Sequence, residues 1–371
     1  MTFNKKLLAG LVAFAAASTS AQAVTVAAND GWTLGVSGSV NQFLTFTDVD
    51  GGDNVSEVRN GLLPAFLSFD MTAPTMNGLD IAAHISISPS TNGQSYAGSL
   101  EQREAYFTVA GSFGQVLAGK AIGLYGSHNI LTDQTLFGVG YGTTGNLQTT
   151  LGGINLGYDY ANWRSQIKWT SNDMNGFKIA FAAVDPNTGT SLGGNSDQDN
   201  LRFEGDLSYA GAFDGGSYTG WLSAMHQSNE GTIEDNKAWT VGGTLVVGGF
   251  EAMAQYSDSE QGDFGTAASL NTTTGVITGP VAAVANAVSE YDQFIVQAGY
   301  RFAGTTLVSA QYSEREDDIA GGTNLEDEKW TIGVYHDVNA NLKLVAEYTN
   351  VEMDNDDSET DIISLGGFVF F

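Results

Sequence analysis

The sequence predicts an all-β chain folded as a 16-stranded antiparallel transmembrane β-barrel, and three observations carry that prediction. Apolar and polar residues alternate with period two in segment after segment, the pattern of strands with one oily and one polar face. The connections between these segments alternate between short and long along the chain. The composition agrees: 47 glycines, 20 phenylalanines and 14 tyrosines against five prolines suit many strands joined by tight turns. Beyond residue 23 no apolar run approaches the roughly 18 residues that a membrane-crossing helix needs. A barrel gives this weak hydropathy signal because lipid-facing and lumen-facing positions alternate.

In chain order, residues 1–23 read as a signal peptide. Lys5 and Lys6 precede an apolar run from Leu7 to Ala17, and small residues close on Ala21-Gln22-Ala23. These are a charged n-region, an h-region too short for an anchor helix and an A-x-A cleavage site. Cleavage there leaves residues 24–371 as one barrel domain; a cut near Ala28 is the alternative. It removes two of the 14 basic residues and none of the 42 acidic ones, moving the formal net charge from −28 to −30. That balance argues against nucleic acid as a partner. Cysteine is absent although the leader directs the chain to an oxidising space, so stability rests on packing and strand pairing, with no disulfide framework.

The strands are legible one by one. Phe177, Ile179, Phe181 and Ala183 share one face, with Lys178, Ala180 and Ala182 on the other. Leu201, Phe203, Leu207 and Tyr209 alternate with Arg202, Glu204, Asp206 and Ser208, and Phe294, Val296, Ala298, Tyr300 and Phe302 with Gln293, Ile295, Gln297, Gly299 and Arg301. Leu342, Leu344, Ala346 and Tyr348 repeat the pattern against Lys343, Val345, Glu347 and Thr349. Short connections fall at 73–78, 111–114, 172–176, 211–216, 248–249, 303–304 and 339–341. Long ones fall near 48–60, 89–101, 121–155, 185–200, 228–236, 258–290, 316–327 and 353–359. Seven turns and eight loops join sixteen strands and put both termini on the short-turn side, as in a barrel with periplasmic turns and long extracellular loops.

Acidic residues gather in the long connections, among them Glu314, Glu316, Glu326 and Glu328 in one and Glu352, Asp354, Asp356 and Asp357 in another. They read first as a solvated outer face. Clustered carboxylates also suit calcium or magnesium bridging to lipopolysaccharide or between subunits, although no stretch matches an EF-hand loop and no cofactor or metal-ligand set is expected. The last strand carries Ile363, Leu365, Gly367 and Val369 at alternate positions before the terminal Phe371. It must pair with the first strand, near Trp32 to Thr47, because an open edge in lipid leaves backbone groups unsatisfied. Phe371 also suits the interfacial aromatic belt, with Trp32, Phe113, Phe250 and Phe302.

Two stretches carry a family likeness. The segment from Arg103-Glu104-Ala105-Tyr106-Phe107 through Gly111-Ser112-Phe113-Gly114 to Gly119-Lys120 resembles the strand-turn-strand leading into the third loop of the general diffusion porins of Gram-negative bacteria. Arg164-Ser165-Gln166-Ile167-Lys168-Trp169, followed by Asn175-Gly176-Phe177, resembles the strand-turn-strand beyond it. Phe371 matches that family's assembly signal. The resemblance implies a homotrimer in the outer membrane, contacting lipid and lipopolysaccharide, with each barrel narrowed by an inward-folded third loop. In this chain that loop is expected over Ala121–Leu151, with Asp133 as its carboxylate. The basic wall opposite is expected at Arg59, Arg103 and Arg164, with Lys120, Lys168 and Arg202 beside them. Acid facing base makes a transverse field that favours polar solutes. The chain departs from enterobacterial members in two places: Thr135-Leu136-Phe137-Gly138-Val139-Gly140 replaces a Pro-Glu-Phe-Gly-Gly stretch, and Ser39 stands where a lysine is common.

The function expected is passive diffusion of small hydrophilic solutes and ions through a water-filled pore. The alternative is a channel selective for a sugar, phosphate or organic acid, a reading that Tyr125, Phe137 and Tyr141 leave open for sugars. Catalysis is not expected: His84, His128, His226 and His336 are scattered and form no local nucleophile or metal pattern. An adhesive barrel would need larger outer loops. A mild cation preference, fading as salt rises, is expected because outer-loop charge is screened beyond about 8 Å in physiological salt.

Overall fold

The computed structural model describes residues 24–91, 99–142, 149–186, 200–230, 235–260, 269–271, 276–278, 289–319, 324–354 and 358–371. The expected signal peptide, and Asp356 and Asp357 of the last acidic loop, lie outside the described residues. A short N-terminal strand, Val24–Asn29, precedes the barrel. The first barrel strands are β1 (Trp32–Val49), β2 (Val55–Arg59 and Phe66–Thr72), β3 (Asp80–Ser90), β4 (Ser99–Glu101 and Ala105–Gly111) and β5 (Gly114–Ile122). Next come β6 (Trp163–Thr170), β7 (Phe177–Val184), β8 (Arg202–Phe213), β9 (Gly216–Gln227), β10 (Asn236–Val247) and β11 (Phe250–Glu260). The wall finishes with β12 (Ser289–Phe302), β13 (Thr306–Ile319), β14 (Leu325–Asn339), β15 (Leu342–Met353) and β16 (Ser358–Phe370). Each pairs antiparallel with the next, and these sixteen strands close into a barrel.

Closure uses both ends of the chain. β16 pairs with β1 from Val49↔Thr360 to Ser39↔Phe370. Phe371 then exchanges two backbone hydrogen bonds with Gly38, at 2.8 and 3.0 Å. Below that point the N-terminal strand takes over the same edge of β1, from Val24↔Val36 to Asn29↔Trp32. No stretch of β1 in that register is left without a partner, as hydrocarbon surroundings require. Gly38 is obligatory here: a Cβ would lie 2.4 Å from the Phe66 carbonyl oxygen and 2.7 Å from the Phe371 ring.

The sidedness is the reverse of a soluble barrel's. Leu222, Val241, Ile332, Leu344 and Leu365 are exposed on the outside, whereas Gln255, Ser257, Gln293, Gln311 and Thr331 are buried inside. An apolar outer wall around a polar interior is stable only with lipid outside and water within. Aromatic pairs Trp239–Tyr256, Phe294–Tyr312 and Trp330–Tyr348 form one outward band. Phe177–Tyr209 and Tyr300–Phe302 lie toward the opposite, short-turn end, so the oily zone is bracketed by two aromatic belts.

The connections fall near where the alternation places them; those expected at 89–101 and 316–327 are shortened by strands that reach Ile319 and resume at Ser99 and Leu325, and two others differ more. The first long connection is shorter than expected, since Val55–Arg59 resumes pairing with β1; β2 then breaks at residues 60–65. The side chain of Asn41 bridges the break, donating to the carbonyls of Leu63 (2.8 Å) and Pro64 (3.1 Å) and accepting from the Gly61 N–H (3.0 Å). The third long connection runs from 123 to 162 rather than ending near 155, because Gly157, Tyr158 and Asp159 turn inward before β6 begins.

Candidate pore constriction

The third loop contains α1 (Ser127–Thr132) and a 3-10 turn, Gln134–Phe137. It crosses the interior and bonds to the inward face of the far wall, from β8 round to β15. A buried loop must find partners for its backbone amides and carbonyls, and here carboxylates supply many of them. Glu204 on β8 accepts from the N–H groups of Leu124 (2.7 Å) and Tyr125 (2.9 Å). Glu347 on β15 accepts from Val139 N–H (2.7 Å), Gly140 N–H (3.0 Å) and the Tyr335 hydroxyl (2.6 Å). Within the loop, Asp159 accepts from the hydroxyls of Tyr125, Ser259 and Tyr291 and from Gln293 Nε2, all at 2.7–2.8 Å.

Asp133, the carboxylate expected opposite the basic wall, is saturated in the same way. It accepts from the N–H and hydroxyl of Thr135 (2.8 Å each), Gly153 N–H (3.0 Å), the Tyr158 hydroxyl (2.5 Å) and Gln311 Nε2 (2.7 Å). It organises the loop against β13. Burial, reinforced by the adjoining Asp133 charge, pushes the Tyr158 phenol well above its ordinary range; burial and Asp159 do the same to Tyr125. Both therefore remain donors.

Arg59, Arg103, Arg164 and Lys168 are buried on the inward face of β2, β4 and β6. Arg59 pairs with Glu57 at 2.9 Å and reaches the Thr149 carbonyl of the third loop at 3.4 Å. Arg103 pairs with Glu101 at 2.6 Å and lies 5.9 Å from the Trp163 ring centre. Arg164 donates through Nε to the Ala161 carbonyl at 3.3 Å, and Lys168 shares a row with Glu204 across Ala182. Arg202 lies at the root of the loop, sealed between Glu204 (2.7 Å) and the face of Tyr125 (5.8 Å). Lys120 departs from expectation. Gly119 and Ala121 oppose the inward Gln166 and Arg164, so Lys120, opposite Ser165, projects from the outer face.

Two histidines that carried no sequence signal belong to this region. His128 on α1 contacts Asp206 at 3.1 Å and stacks on Trp221 at 5.3 Å. His84 on β3 has Asp70 on Nδ1 (2.7 Å) and Glu104 on Nε2 (3.1 Å) and stacks on Tyr106. The aromatics considered for sugar stacking are used in packing instead: Tyr125 and Tyr141 are buried, and Phe137 packs edge-on against Phe368 and Phe370. Above the outward aromatic band, oxygens of Glu314, Glu326 and Glu328 lie within 4.8 Å of one another.

The Gram-negative porin family matches residues 8–357, and the chain belongs to that family. Its fold is similar to the anion-selective porin of Comamonas acidovorans (15% identity, TM-score 0.67, covering 92% of this chain and 100% of that one). It is also similar to OmpF of Salmonella typhi solved with daunomycin (14%, 0.64, 93% and 99%). OmpT of Vibrio cholerae in its trimer form is a third such structure (14%, 0.59, 92% and 100%). No curated protein matches in sequence. The protein is an outer-membrane channel.

Proposed function

We propose that this channel is a general diffusion pore, admitting small hydrophilic solutes and ions by size and charge without a dedicated binding site, and that it works as a homotrimer. The observation that carries the reading is the use of the third loop. Among the described residues, its carboxylates and many of its backbone amides are consumed in fixing it to the wall, and its aromatics pack instead of forming a stacking track. Such a loop narrows a lumen but offers little to hold one solute. A channel role also suits the histidines, since both ring nitrogens of His84 are occupied by carboxylates. The trimer is supported by the trimer form of one structural relative. Planar-bilayer recording should give conductance in steps of three, not blocked by maltose, phosphate or organic acids. Specific block by one of these would replace diffusion with a selective channel.

A further inference from the structure

We infer that four arginines of the pore wall are compensated by acids beside them in sequence, so that the lumen shows carboxylates to solution and passes cations in mild preference, with Glu57 and Glu101 as the residues that hold anion passage down. The inference rests on the channel reading and names the charge class that the same pore favours.

Four inward arginines have an acidic partner two residues away on their own strand: Arg59–Glu57 (2.9 Å), Arg103–Glu101 (2.6 Å), Arg202–Glu204 (2.7 Å) and Arg315–Asp317 (2.7 Å). Residues i and i+2 project from the same face about 6.6 Å apart, a span that a guanidinium crosses. For Arg59, Arg202 and Arg315 the pairing is therefore built into the strand, whereas Arg103 lies in the break of β4 between Glu101 and Ala105 and reaches back to Glu101 from there.

Exposure then decides which sign the lumen presents. Where the wall meets the edge of the loop, the acid is the more open partner: side-chain exposure is 25% for Glu57 against 4% for Arg59, and 35% for Glu101 against 10% for Arg103. The arginines stand behind their carboxylates. His84 repeats the arrangement, flanked by Glu104 and by a half-exposed Asp70. A compensated pair acts on a passing ion as a dipole with its negative end outward, whereas an uncompensated arginine would act as a full positive charge.

In water, one uncompensated charge about 6 Å from a passing ion changes its occupancy about threefold. Reversal potentials in a low-ionic-strength KCl gradient measure this on the full-length protein in planar bilayers. Wild type should prefer potassium mildly. Glu57→Gln and Glu101→Gln should each shift the potassium-to-chloride permeability ratio toward chloride by about tenfold, threefold through each ion, and the effect should shrink as salt rises. Removing a whole pair, Glu57→Gln with Arg59→Gln, should bring the ratio most of the way back to wild type, short of it by the pair's outward dipole, and Arg59→Gln alone should shift it toward potassium. The double variant also separates charge from misfolding, since it carries more damage yet should behave more like wild type. Channels whose ratio is unchanged in both single acid variants would overturn the inference and leave the channel reading intact. A wild-type protein that forms no channels would overturn the channel reading itself.

Discussion

Between the third loop and the wall from β8 to β15, carboxylates meet mostly neutral donors, with Arg202–Glu204 and Arg315–Asp317 as charged exceptions; on the wall from β2 to β4 they meet arginines and a histidine. Glu204, Asp133, Asp159 and Glu347 each accept several hydrogen bonds from backbone amides, tyrosine hydroxyls or glutamines, with Arg202 sealed in beside Glu204. Glu57, Glu101 and Asp70 pair with Arg59, Arg103 and His84 and keep a quarter to a half of their side-chain surface open. The difference follows from burial. A desolvated carboxylate needs every lone pair satisfied, which makes it a clasp. A solvated one keeps a long-range field and can act on ions.

If the covered side is a set of clasps, the largest effect should come from removing one. Asp133→Ala strands the hydroxyl of Tyr158, the amide of Gln311 and the N–H of Gly153, and each buried donor left unsatisfied costs about 1–3 kcal/mol. The loop should loosen from β13, giving larger and noisier single-channel currents and a lower melting temperature. Unchanged conductance and melting would break the comparison.

A smaller effect appears at high pH. Tyr125 and Tyr158 are raised far above the ordinary phenol value of 10.0. A group raised in the folded state stabilises it fully below that unfolded value and loses the contribution as pH rises above it. Melting temperature should therefore fall above about pH 10, and the ultraviolet signature of these two phenolates should appear only with unfolding. Ionisation of both in the intact barrel would show the covered side to be wet.

The smallest effect is expected outside the lumen. Lys237 and Glu260 pair at 2.8 Å with about half of each side chain exposed, so Lys237→Gln should change stability by about 0–1 kcal/mol and leave ion selectivity in place. A marked selectivity shift from this outer pair would contradict the confinement of charge selection to the lumen.

Much of this was legible in the sequence. Strand identity, strand number and the short-long sorting of connections follow from period two and turn chemistry, as at Phe177–Ala183 and Leu342–Tyr348. The compensating acids were legible as well, in the spacings Glu57-x-Arg59, Glu101-x-Arg103 and Arg315-x-Asp317, but attention to the basic residues alone passes over them. Lys120 was not legible, because Ala118, Gly119 and Ala121 give its strand no amphipathic signal and only the register with β6 fixes which way it points. Asp159 was missed because Gly157-Tyr158-Asp159-Tyr160 alternates like the start of a strand, while its partners Ser259, Tyr291 and Gln293 lie on β11 and β12.

The sequence by itself thus determined the barrel, since a two-residue period is local and every strand states it independently. Only the closed tertiary structure decided which carboxylates became clasps and which stayed in contact with water. That choice depends on where the third loop comes to rest, and its resting place is set by partners as far from it in the chain as Gln311 and Glu347.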